Sequence, residues 1–145
     1  ENRKEITTEG GLNLNKKSKK ISLLLKKLNK KNIRTSLFIN ANIKDIKTSK
    51  KLGAKCVEIH TGKISNLIKK HKNFNNELKK IKRCVNEANN VGLRVHAGHG
   101  IDYDTAKILT KIKKIEEFNI GHFIISESIF HGLKNTIKRF KKIIK

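Results

Sequence analysis

The feature of this 145-residue chain that most constrains its fold is the alternation of short apolar runs with longer amphipathic segments. The short runs are typical of buried strands, and the longer segments carry apolar residues at helical spacing. After an initial loop and helix, strand and helix alternate four times. This order is typical of right-handed βαβ units, which build a parallel sheet covered by helices.

The predicted strands cover residues 35–39, 56–60, 93–96 and 118–125, and a Gly-His pair interrupts the last of them. The predicted helices cover residues 16–31, 43–52, 73–91, 102–112 and 129–144, and residues 64–70 are expected to add a short helical turn. Because four strands are too few to close a (β/α)8 barrel, we expect an α/β fold that forms the second half of one, as a single domain over residues 1–145.

Local signals support several helix boundaries. Asn42 is a suitable N-cap for the helix at 43–52, and Gly53 a suitable C-cap. Ser126 or Ser128 is expected to cap the last helix. In the first helix, four apolar residues recur at helical spacing and are expected to face the core: Ile21, Leu24, Leu25 and Leu28.

Three of the four predicted strands carry unusual residues near their C-terminal ends. They are His60–Thr61–Gly62, Gly98–His99–Gly100 and Gly121–His122. In parallel α/β folds the functional site lies at the C-terminal edge of the sheet, so these groups are expected to meet there.

The central group is LRVHAGHG, residues 93–100, in which Ala97 and Gly98 are expected to end the strand. His99 lies between two glycines, so its imidazole should be exposed, with little packing to do. Histidine titrates near neutral pH and is a common proton donor or acceptor, which favours a catalytic or phosphate-facing role over that of a loop residue without function.

Glu58 is a carboxylate in the middle of an apolar strand, between Val57 and Ile59. Burying such a group costs free energy unless it is paired or used in function. The alternative is a surface-facing position on a two-faced strand. Function is favoured because parallel strands leave few solvated faces.

The N-terminal segment offers a weaker signal. Thr7 and Thr8 precede the pair Gly10–Gly11, and hydroxyls beside glycines can bind a phosphate or a sugar hydroxyl. A plain flexible loop is at least as good an interpretation of these residues.

The charge balance suggests a polyanion partner, but the composition opposes this. There are 35 Lys and Arg against 12 Asp and Glu, a net charge of +23. Only five are Arg, and the aromatic residues are few, six Phe and one Tyr, whereas nucleic-acid surfaces favour Arg and interleaved aromatics. The lysines are therefore interpreted as compositional drift on solvated helix faces.

The two cysteines and the hydropathy limit the class of protein further. Cys56 and Cys84 lack metal-site spacing and are expected to be buried, reduced thiols. No apolar run is long enough to span a membrane and no signal peptide is visible, so a cytoplasmic location is expected.

Taken together, five motifs resemble those of the pyridoxine 5'-phosphate synthase family. They are ITTEGGL at 6–12, SLFI at 36–39, EIHTG at 58–62, AGHG at 97–100, and NIGH followed by FII at 119–125. The resemblance runs through essentially the whole chain, in order and with similar spacing.

The resemblance implies a (β/α)8 barrel that condenses 3-amino-2-oxopropyl phosphate with 1-deoxy-D-xylulose 5-phosphate. The products are pyridoxine 5'-phosphate, inorganic phosphate and water, in vitamin B6 synthesis. It implies a homo-octamer with neither a metal nor an organic cofactor.

The same resemblance implies roles for individual residues. His99 matches the proton donor and Glu58 the residue that stabilises the transition state. Gly100 and the pair Gly121–His122 match contacts to the aminoketone phosphate, and Thr7 matches a contact to the deoxyxylulose phosphate.

The sequence departs from the family pattern at its start. The family's N-terminal part carries an Asn-x-Asp-His motif, a His base, a second Glu base and further Arg and His contacts, and none has a counterpart here. We therefore expect a fragment of a longer protein, or a split or decayed gene, without synthase activity on its own.

Three alternatives are open from the sequence. The first is a small basic nucleic-acid-binding module, which would show a coherent basic stripe and steep salt dependence. The second is an inactive half-barrel relic. The third is a half-barrel that pairs with another chain, since an open parallel sheet leaves two edges and one face uncovered.

Overall fold

A computed structural model describes residues 10–15 and 18–145. These residues form four strands and seven helices in the order α1, β1, α2, β2, α3, α4, β3, α5, β4, α6, α7. The strands are β1 Ser36–Ile39, β2 Cys56–His60, β3 Arg94–Gly98 and β4 Glu117–Asn119. The helices are α1 Ser18–Lys30, α2 Ile43–Leu52, α3 Gly62–Lys69, α4 Asn75–Asn90, α5 Tyr103–Leu109, α6 His122–His131 and α7 Leu133–Ile144.

The strands form one parallel sheet in sequential order, β1-β2-β3-β4. This confirms the predicted α/β class and is consistent with part of a (β/α)8 barrel. No helix in the described part of the chain is both long enough and apolar enough to cross a membrane.

The two faces of the sheet differ in chemistry. Alternate strand residues are fully buried against the helices: Leu37, Ile39, Val57, Ile59, Val95 and Ala97. The opposite face is mostly polar, because the parallel register places Phe38, Glu58, His96 and Glu117 side by side across the four strands. The apolar face supplies the core, and the polar face contributes Phe38 and Glu58 to the candidate site.

The helices begin and end largely where the local chemistry predicts. The Asn42 side chain accepts a hydrogen bond from the Lys44 amide at the start of α2. Gly53 ends that helix in the left-handed conformation, with φ at 94°. Residues 64–70, which were expected to add a short turn, lie mostly within the full helix α3.

The predicted strand at 118–125 is wrong beyond Asn119. β4 ends there, and the apolar run that follows begins α6 at His122. A short apolar run is compatible with either a buried strand or a helix, so the apolar pattern alone could not show that this run is helical. The last predicted helix, 129–144, covers the end of α6 and all of α7, which are separated at Gly132, where φ is +75° and ψ is 144°.

Three smaller expectations are also wrong. Ala97 and Gly98 continue β3 rather than ending it. Ser126 and Ser128 cap no helix, because their hydroxyls donate to carbonyls one turn earlier within α6. Leu24 is 55% exposed, since α1 buries Leu25 and turns Leu24 away from the core.

Candidate active site

A cavity of about 420 Å³ opens at the C-terminal edge of the sheet, over β2, β3 and β4. Five of the six residues singled out from the sequence line it: Glu58, His99, Gly100, Gly121 and His122. These residues are up to 64 positions apart in the chain, and the parallel register brings the strand ends together. The sixth residue, Thr7, lies outside the described part of the chain.

Glu58 lies on the polar face of β2 and is half-buried. Its carboxylate accepts a hydrogen bond of 2.6 Å from the Asn119 side-chain amide at the end of β4. Gly98 lies on β3 two residues beyond His96, the register partner of Glu58, and a Cβ at Gly98 would overlap the Glu58 carboxylate. The glycine therefore leaves the space that the Glu58 side chain occupies, and Asn119 fixes its direction.

His99 has an unusual backbone for a residue with a side chain, because its φ is +76°. L-residues rarely adopt this left-handed region, so neighbouring contacts must hold it. The Thr61 hydroxyl, which is fully buried, lies 2.9 Å from the His99 carbonyl oxygen and 2.8 Å from that of Gly98. The end of β2 thereby holds the turn that carries His99.

The expectation that His99 has little packing to do is wrong. Its ring stacks on that of His60, with 4.6 Å between the ring centroids and an angle of 23° between the planes. Burial and the neighbouring His99 lower the pKa of His60, which favours a neutral His60 ring near neutral pH. His99 therefore sits against another titratable ring rather than alone in a loop.

Gly100 and Gly121 serve different geometric needs. Gly100 has φ +75°, and an added Cβ would approach the Ser65 Cβ to 3.3 Å. Gly121 is the N-cap of α6 and has open space around it, with nothing within 4 Å of an added Cβ. The first amides of a helix have no partner within the helix, so this opening leaves the N-terminus of α6 accessible to an anion.

Three residues in or beside the cavity had no role predicted from the sequence: Asn119 and Lys69, which line it, and Thr61, which is buried beside it. Asn119 orients Glu58, and the position of Asn119 in the NIGH motif could have identified it from the sequence. Thr61 holds the His99 turn, and the position of Thr61 in the EIHTG motif could have identified it from the sequence. Lys69 brings a positive charge to the cavity wall and had no signal, since lysines are abundant throughout the chain.

The other histidines and the cysteines are structural or exposed. His96 is buried on the polar face of the sheet, with its Nδ1 3.4 Å from the Ser36 hydroxyl. His71 and His131 are exposed, as expected. Cys56 and Cys84 are buried free thiols, as expected.

Burial raises the pKa of the Cys84 thiol to about 11. Among the residues that the structure describes, no three His, Cys, Asp or Glu side chains converge to form a candidate metal site.

The sequence matches a protein-family model described as the pyridoxal phosphate biosynthesis protein PdxJ, over residues 1–145. Among curated proteins it is 63% identical over 143 residues to the pyridoxine 5'-phosphate synthase of Pelagibacter ubique. That alignment covers 99% of this chain and 60% of the relative.

Two further relatives with the same name are more distant. The protein of Campylobacter fetus is 41% identical over 167 residues, covering 100% of this chain and 64% of the relative. That of Prochlorococcus marinus is 43% identical over 145 residues, covering 100% of this chain and 58% of the relative. The chain thus spans about 60% of the length of the relatives it matches.

Proposed function

Because the chain belongs to the PdxJ family of pyridoxal phosphate biosynthesis proteins, we propose that it carries part of the active site of a pyridoxine 5'-phosphate synthase. The reaction condenses 3-amino-2-oxopropyl phosphate with 1-deoxy-D-xylulose 5-phosphate and closes the pyridine ring. It is a transferase-type synthesis that releases phosphate and water. The family membership favours this enzyme over a basic nucleic-acid-binding module.

The observation that carries the proposal is the shared cavity of Glu58, His99, Gly100, Gly121 and His122. Condensing an amine with a ketone passes through an imine, eliminations and an aromatisation. Each step moves a proton, so the reaction needs weak acids and bases that face one pocket. A cavity that contains a carboxylate and two imidazoles supports this chemistry.

In the proposed mechanism His99 donates a proton to the reacting molecule from its fixed turn. Glu58, held by Asn119, stabilises a cationic iminium by its negative charge. Gly100, Gly121 and His122 bind the phosphate of the aminoketone, where the amides at the start of α6 supply hydrogen bonds to its oxygens.

The remaining features of the proposal rest on the family resemblance. Thr7 is proposed to contact the phosphate of 1-deoxy-D-xylulose 5-phosphate. The complete enzyme is proposed to be a cytoplasmic homo-octamer that uses neither a metal nor an organic cofactor.

The 145-residue chain alone is proposed to be inactive, because the family's catalytic bases and several substrate contacts have no counterpart in it. A hybrid tests this: the chain is joined to the part of the Pelagibacter ubique relative that lies outside the match. Formation of pyridoxine 5'-phosphate from the two substrates is measured for the chain and for the hybrid.

We expect product from the hybrid and none from the chain alone. In the hybrid, His99→Asn should abolish turnover, whereas His131→Ala, which changes an exposed histidine remote from the cavity, should retain it. Turnover by the isolated chain would contradict the proposed inactivity. A folded hybrid without turnover would contradict the proposed synthase function.

A further inference from the structure

His60 is a titratable residue beside the site that the proposed mechanism does not use. Its ring is stacked on that of His99, with 4.6 Å between centroids. The Phe38 ring adjoins both imidazoles, at 5.4 Å from His60 and 6.5 Å from His99. The three rings form a cluster, which we call the aromatic cluster, at the C-terminal ends of β1, β2 and β3.

The backbone around the aromatic cluster is shaped to admit it. A Cβ on Gly62 would lie 2.7 Å from ring atoms of both His60 and His99, so any larger residue there would push the two rings aside. The preceding residue, Thr61, holds the backbone of the His99 turn. Three consecutive residues at the end of β2 therefore act on His99. His60 stacks on its ring, Thr61 contacts its backbone, and Gly62 leaves space for the ring.

His99 lines two cavities, and His60 lines only one of them. The candidate active-site cavity is lined by His99 and not by His60. A second cavity, of about 580 Å³, is lined by both histidines together with Lys63, Lys70 and Lys72. His60 thus stacks on the His99 ring and shares with it the second cavity but not the candidate active-site cavity.

We propose that His60 is a positioning residue, which holds the His99 imidazole in place at the active-site cavity by stacking against its ring. The proposal rests on the role of His99 in the proposed function. His60 itself makes no contact with the reacting molecules.

The electrostatic setting suits a neutral ring behind a proton donor. Burial and the proximity of His99 lower the pKa of His60, and the more distant Glu77 on α4 opposes this only in part. Glu77 is itself paired with Lys63 on α3, at 2.9 Å. A neutral imidazole stacks favourably on its neighbour whether that neighbour is neutral or charged, so the ring stays in place as a proton is transferred.

The test distinguishes the contribution of the His60 ring surface from that of its nitrogen atoms. His60→Ala removes the stacking surface, His60→Phe retains a flat ring without a titratable group, and His131→Ala is the matched control at an exposed histidine. In the active hybrid, kcat and KM are measured for each variant. We expect His60→Ala to lower kcat by about tenfold or more, because misplacing a reacting group costs rate, while KM stays within about twofold.

His60→Phe should restore kcat to within about threefold of the unsubstituted hybrid, and His131→Ala should leave it unchanged. An unchanged kcat in His60→Ala would overturn the proposal. So would a kcat in His60→Phe as low as that in His60→Ala, since the nitrogens rather than the ring would then be needed.

A second readout is independent of turnover. In the 145-residue chain, the ring current of His60 should shift the proton resonances of the His99 imidazole in NMR spectra. The shift should be lost in His60→Ala and retained in His60→Phe. If the unsubstituted hybrid is inactive, the proposed function fails, while this measurement still decides the stack: unchanged His99 resonances in His60→Ala would refute it.

Discussion

Thr61→Val is the substitution that most directly tests how the His99 turn is held. The Thr61 hydroxyl is fully buried and lies within hydrogen-bond distance of the Gly98 and His99 carbonyl oxygens, at 2.8 and 2.9 Å. Valine has nearly the same shape but lacks the donor. The change therefore removes the hydrogen bond without opening a large cavity.

The size of the effect follows from which carbonyl loses its partner. The Gly98 carbonyl also accepts from the Thr61 backbone amide at 2.8 Å, so it remains satisfied. The His99 carbonyl loses the hydroxyl, and the left-handed backbone of His99 loses the contact that holds it. Leaving one partly buried acceptor without a partner costs about 1–3 kcal/mol, so we expect Thr61→Val to lower the free energy of unfolding by about 2 kcal/mol.

Urea unfolding followed by far-UV circular dichroism measures this difference. Thr48→Val is the matched control, since the Thr48 hydroxyl bonds only to the Lys44 carbonyl one turn earlier in α2. We expect the control to change the free energy of unfolding by less than about 0.5 kcal/mol. If Thr61→Val changed it as little as the control does, the argument that Thr61 holds the His99 turn would be refuted.

Three further predictions concern pH, backbone packing and thiol reactivity. Because the pKa of His60 is lowered in the folded chain, the unfolded chain binds the proton first as pH falls through the ordinary value of 6.5. Stability should therefore decrease as pH falls from about 6.5 to the lower folded-state pKa of His60, below which this group causes no further loss. The loss, measured by urea midpoints, should be smaller in His60→Phe. Gly11→Ala should destabilise strongly, by about 2 kcal/mol or more, because its Cβ would overlap the backbone of Ile39 and Asn40; a midpoint equal to that of the unsubstituted chain would contradict this. Cys84 is buried, and burial raises its pKa to about 11. Its alkylation by iodoacetamide, measured by mass spectrometry, should therefore be about a hundredfold slower in the folded chain than in urea. Equal rates would contradict the burial.

The sequence by itself was sufficient to predict the α/β class, the parallel order and most helix boundaries. These depend on local chemistry, such as the caps Asn42 and Gly53 of α2, or on the regular alternation of apolar runs. It also indicated which residues would lie together, since His99, Gly100 and Gly121 follow strands whose C-terminal ends meet in a parallel sheet, and all three line the candidate cavity.

The tertiary structure decided what periodicity leaves ambiguous. The run after Asn119 is equally apolar as a strand or a helix, and only the packed chain shows that α6 begins at His122. The hydrogen bond between Glu58 and Asn119, and the stack of His60 on His99, join residues 61 and 39 positions apart. Such contacts depend on strand register and side-chain direction, which no local pattern in the sequence encodes.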